Sequence, residues 1–110
     1  MKEIEKAILE KINVYANQAI QFTNGMNFAE FSADVKTIAA CVLYLSQIGE
    51  MAARLEDEFI TANNQIPWRR IKGMRNRIVH DYDGIQLNIV WDVIVDYLPE
   101  LIESINKLMQ

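Results

Sequence analysis

One cysteine, one histidine, two prolines and four glycines are spread over 110 residues. A lone Cys41 allows no disulfide within the chain, and its place in an apolar helical pattern marks it as a small buried hydrophobe. One histidine, one cysteine and scattered carboxylates give no metal-ligand cluster at useful spacing. No glycine-rich loop is present to cradle a phosphate. No apolar run approaches the roughly 20 residues a membrane-spanning helix needs. The chain opens Met1-Lys2-Glu3 and turns polar at once, so no cleaved leader is expected and the cytoplasm is the expected location. Internal repeats and low-complexity tracts are missing too.

What is present is apolar mass and a divided charge. An apolar fraction of 51% excludes a disordered tail. The length predicts one domain over residues 1–110, with a core thin enough that self-association would help. Of the eleven Lys and Arg residues, five (Arg69, Arg70, Lys72, Arg75, Arg77) fall between Arg69 and His80, where no Asp or Glu occurs. The remainder carries six basic against fifteen acidic residues. A net charge of −4 is therefore one short basic stretch in an acidic protein, a field that can focus an anion onto one site.

The periodicity predicts an all-α protein. A first helix is expected from about Ile4 to Thr23, with Ile4, Ile8, Ile12, Tyr15, Ala19 and Phe22 on its buried side and Asn24-Gly25 as its stop. Asn27 and Glu30 have capping-box spacing, so a short helix or turn follows. A second long helix is expected from about Ala33 to Leu55, buried through Val35, Ile38, Val42, Leu45, Ile48, Ala52 and Leu55. Its small residues Gly49 and Ala52 suggest the close approach of another helix. Asn63-Asn64 breaks the chain, and Pro67 opens a third helix running to about Val79. After an Asp83-Gly84 turn a fourth helix starts near Leu87, buried through Ile89, Val90, Ile94, Leu98, Leu101, Ile105 and Leu108. Pro99 should bend or restart it. Val93-Ile94-Val95 is β-rich, but the flanking helical period overrides it. The sum is an antiparallel four-helix bundle with a short extra element between the first two long helices.

The third helix carries the chemistry. At 100° per residue Arg69, Lys72, Asn76 and His80 lie within about 80° of one another. Ile71, Met74, Ile78 and Val79 form the docking side. Arg75 falls at the border, so its stem should be packed and its guanidinium should emerge beside His80. A spacing of five does not align those two on an ideal helix, and a distorted turn near Gly73 is one way to bring them together. Guanidinium suits bidentate contact with phosphate, imidazole exchanges a proton near neutral pH, and Asn76 can hydrogen-bond either. Together they suit cleavage of an RNA phosphodiester by its own 2′-hydroxyl. That reaction needs a base, an acid and positive charge, and two subunits meeting here would supply two imidazoles. Blander roles exist for each residue. A histidine near a helix end often caps it, basic runs are often solvated, and Trp68 and Trp91 read better as core or interface anchors than as stacking platforms. Glu50 could orient a neighbour or simply be helix surface.

Arg75-Asn76-Arg77-Ile78-Val79-His80-Asp81-Tyr82 resembles the Arg-x4-His-x-Tyr motif of the HEPN ribonuclease toxins, most of all the small branch paired with a minimal nucleotidyltransferase antitoxin. Ile48-Gly49-Glu50-Met51-Ala52 is similar to that branch's Ile-Gly-Glu-x-Ala segment. Ile66-Pro67-Trp68-Arg69 followed by Ile71-x-Gly73-Met74-Arg75-Asn76 matches its approach to the motif. Ile89-Val90-Trp91 and Leu98-Pro99-Glu100-Leu101 match its last helix. The likeness spans nearly the whole chain, although the first helix lacks the acidic-basic opening common in relatives.

The resemblance implies a HEPN-like helical homodimer with Arg75 and His80 of both protomers in one cleft. It implies a metal-independent endoribonuclease without cofactor. Asn76 takes the polar position beside the arginine; Arg69, Lys72, Arg77 and Glu50 are, from the residues themselves, further supporting or RNA-binding candidates. Tyr82 takes the position that the partner nucleotidyltransferase, using ATP and Mg²⁺, modifies with AMP. Some family members were described instead as non-catalytic, substrate-binding subunits of a nucleotidyltransferase, which is the alternative for this chain.

Overall fold

The computed structural model describes residues 1–80 and 86–110, with Ile78, Val79 and His80 as helical backbone only. Its elements are α1 (Glu3–Thr23), α2 (Phe28–Ala33), α3 (Val35–Ala53), α4 (Asp57–Ala62), α5 (Trp68–His80), α6 (Leu87–Asp92), a π-helical segment (Val93–Tyr97) and α7 (Leu98–Leu108). The fold is all-α: α1, α3, α5 and the α6–π–α7 unit form the core bundle, with α2 and α4 between the long helices and no strand among the described residues.

Local chemistry sets the boundaries. Gly25 ends α1 at φ +81°, a region that L side chains avoid. At the next start, Glu30 N–H donates to Asn27 Oδ1 at 2.8 Å while Asn27 N–H donates to Glu30 Oε1 at 3.0 Å, the expected capping box. The second long helix begins at Val35 rather than Ala33, because Asp34 leaves helical geometry to accept from Thr37 N–H at 3.0 Å. Those hydrogen bonds from the Thr37 backbone and side chain hold the Asp34 carboxyl below the ordinary carboxylate range.

The core contains Leu9, Ile12, Leu45, Ile48, Ile94 and Ile105, all essentially buried. The expected face of α1 was set slightly wrong. Ile4 is 64% and Phe22 50% exposed, while Leu9, Ala16 and Thr23 take inward positions. Val35, also expected inside, is 77% exposed because it is the first residue of α3 and lies beyond the reach of its neighbours. Cys41 is buried as expected, and burial pushes its thiol up to about 11.

Helix α4 was not anticipated. It packs Phe59 on Trp68, with ring centroids 6.0 Å apart, and Trp68 Nε1–H donates to Asn63 O at 3.0 Å. These contacts fix the start of α5. At the other side Trp91 packs on Phe31 and Phe28, tying α6 to α2. Both tryptophans therefore anchor helices.

Pro99 restarts the last helix as expected, through a specific device. It cannot donate to Val95 O, and its ring would clash there. The preceding turn widens instead: Leu98 N–H donates to Val93 O, five residues back, giving the π segment. Pro99 then occupies the first turn of α7, where no donor is needed.

Candidate functional site

The basic helix α5 packs on α3 at a glycine. A Cβ built on Gly49 would lie 3.0 Å from Arg75 Cβ, 3.1 Å from Arg75 N and 3.2 Å from Ile71 O. A side chain at this position would force the two helices apart by a few tenths of an ångström, so glycine suits the close approach. Ile71 is buried in the contact and Met74 is half-buried beside it. The small residue in the second long helix thus does what its size suggests.

Glu50, the next residue on α3, forms an ion pair through Oε1 with Arg75 Nε. The Arg75 side chain is 52% and the Glu50 side chain 37% exposed. Arg75 therefore has the expected border position, with its stem over Gly49 and its head accessible. The pairing uses one nitrogen of the guanidinium and leaves the others available to an anion. In a half-exposed setting such a pair adds little to stability. Its consequence is orientation.

Arg69, Asn76 and Arg77 are exposed, and Lys72 is half-buried. Arg69, Lys72 and Asn76 share the solvent side of α5 with the backbone position of His80, the last residue of the helix. No other ion pair among the described residues engages these cations. The regular helix runs from Trp68 to His80, so the distorted turn expected near Gly73 is not formed. The imidazole of His80 and the whole of Tyr82, like the Asp83-Gly84 turn, lie outside the described residues. No three His, Cys, Asp or Glu converge at metal-ligand spacing among the described residues, and no described helix is long and apolar enough to cross a membrane.

Sequence reasoning missed a groove of about 590 Å³ between α5 and the α6–π unit. Arg70 and Arg77 stand on its α5 wall, Asp92 and Asp96 on the other, with Met74 and Val93 among its apolar residues. Asp92 and Asp96 are spaced i, i+4 in a helix otherwise read for its apolar stripe. That spacing was the signal available.

The fold is an all-helical bundle whose basic helix carries an Arg-x4-His sequence and meets α3 at a glycine. The chain belongs to the ribonuclease HepT-like family, whose model matches residues 12–108. It is 34% identical to "Putative RNase MJ0127" of Methanocaldococcus jannaschii, over 99% of this chain and 90% of the relative. It is 32% identical to "Putative RNase TTE0752" of Caldanaerobacter subterraneus subsp. tengcongensis, over 93% and 91%. It is 31% identical to "Probable ribonuclease HepT" of Thermococcus cleftensis, over 98% of each chain. No solved structure matches the chain.

Proposed function

We propose that this protein is an endoribonuclease toxin that cleaves RNA without a metal ion, using Arg75 and His80. The observation that carries the reading is the Gly49–Glu50–Arg75 contact: a guanidinium held at the edge of α5, five residues before the only histidine. The names of the relatives point the same way. In this mechanism the 2′-hydroxyl attacks the neighbouring phosphorus. One imidazole takes the hydroxyl proton, and a second protonates the leaving 5′-oxygen. Arg75 stabilises the charge on the phosphorane. Because the chain has a single histidine, the second imidazole comes from a second copy, and the active form is a homodimer with both α5 helices lining one cleft. Asn76 orients the imidazole or a phosphate oxygen. Arg69 and Lys72 hold the RNA backbone, and Arg77 adds to RNA binding.

Control falls to a nucleotidyltransferase antitoxin that transfers AMP from ATP to the Tyr82 oxygen, which loses its proton as pyrophosphate leaves. The adduct would set a bulky anion two residues from His80 and compete with RNA for the same cations. Expression of this chain alone should arrest growth, His80→Ala should abolish the arrest, and co-expression of the antitoxin should relieve it. A chain that binds a nucleotidyltransferase yet neither arrests growth nor cleaves RNA would be a binding subunit, and the toxin reading would fall.

A further inference from the structure

We propose that the groove between α5 and the α6–π unit is a base pocket that seats a guanine of single-stranded RNA beside the cleaved phosphate. This rests on the ribonuclease reading. Arg77 lies one helical turn before His80, so the groove opens within a nucleotide's reach of the candidate centre. Its volume of about 590 Å³ is that of a small-molecule site. Gly73 lines it, and a Cβ there would meet nothing within 4 Å among the described residues, so a flat ring can lie against the helix backbone. Met74 and Val93 offer apolar contact to the faces of the base.

The charges choose among bases. Arg70 and Arg77 face Asp92 and Asp96, yet no ion pair within 4 Å joins the two walls among the described residues. Among the described residues, donors on one wall thus face acceptors on the other across the groove. Tyr97, which lines the same groove, carries a buried hydroxyl with no hydrogen-bond partner among the described residues. Single-stranded bases expose both their Watson–Crick and Hoogsteen edges. Guanine alone presents two acceptors on one edge, O6 and N7, and two donors on the other, N1–H and the 2-amino group. Arginine reads the first edge. Carboxylates, which only accept, read the second.

The test is sequencing of the products cut from a randomised single-stranded RNA pool by the wild type and by the Asp92→Asn/Asp96→Asn double variant. It is paired with binding of guanosine- and adenosine-containing oligonucleotides to each protein carrying His80→Ala. Guanosine should be enriched at least about tenfold on one side of the cut. The double variant should flatten that ratio to within about threefold, whatever the loss of two negative charges does to total RNA affinity. Cleavage without guanosine enrichment, or enrichment that survives the double substitution, overturns the pocket and leaves the ribonuclease reading standing. No cleavage, with guanosine-selective binding that the double variant loses, upholds the pocket and overturns the ribonuclease reading. No cleavage and no selective binding overturns both. A double variant that changes oligomeric state in sedimentation shows the groove to be a contact between copies and overturns the pocket.

Discussion

Gly49 of α3 lies directly against Arg75 of α5, so close that a single methyl group on Gly49 would sit 3.0 Å from the arginine's Cβ. The backbone atoms on the other side, Arg75 N and Ile71 O, cannot swing away as a side-chain tip could. Gly49→Ala must therefore push α5 outward and carry Arg75 with it. We expect a loss of about 1–3 kcal/mol in denaturant unfolding, the usual cost of overpacking, together with reduced RNA cleavage. Unchanged stability and activity would mean that the two helices are not in contact at this point.

Glu50 should show the opposite balance. Its pair with Arg75 is half-exposed, so Glu50→Gln should change stability by less than about 1 kcal/mol. Without the carboxylate the guanidinium loses its fixed orientation, and the site as a whole becomes more positive. RNA should then bind as tightly or more tightly at low salt while turnover falls, a split of KM from kcat that a purely structural residue would not produce.

Gly73 contrasts with Gly49. It stands in α5 with no described residue near its Cβ, so Gly73→Ala should stabilise the protein by roughly 0.5–1 kcal/mol through helix propensity. Thermal unfolding is sufficient to check it, and destabilisation would place an unseen neighbour over that position.

Acid should weaken the start of α3. The folded Asp34 carboxyl is held below its ordinary value by Thr37, so its contribution is present above the unfolded pKa of about 3.9 and is lost as pH falls through the lower folded value. Asp34→Asn keeps an N-cap acceptor without the titration. Its stability should fall less steeply than that of the wild type below about pH 4. Identical acid limbs would show that this cap does not report on folding.

Much of this was legible in the residues themselves. The capping box at Asn27, the stop at Gly25, the interruption at Pro99 and the small residue at Gly49 each act through local geometry that sequence carries. The inward face of α1 was less legible, because Ile4 and Phe22 fit the period yet lie where the bundle no longer covers them. Helix α4 was missed because its six residues are too few to show a period; tertiary contacts such as the packing of Phe59 on Trp68 hold it in place. At the site, the motif and the family likeness named Arg75 and His80. The Glu50 pair depends on the register of α3 against α5. The groove, likewise, depends on how the α6–π unit lies beside α5, and neither relation is encoded in spacing along the chain.

The central claim is that Arg75 and His80 perform metal-independent transesterification. Single-turnover cleavage of an end-labelled single-stranded RNA in EDTA tests it most directly, comparing the wild type with Arg75→Lys and His80→Ala and identifying the product ends. The account predicts a 2′,3′-cyclic phosphate and a 5′-hydroxyl. It also predicts a loss of roughly 10²–10⁴-fold in His80→Ala, and a clear loss in Arg75→Lys because the planar fork is gone. Cleavage abolished by EDTA, or full activity in the His80→Ala protein, would contradict it.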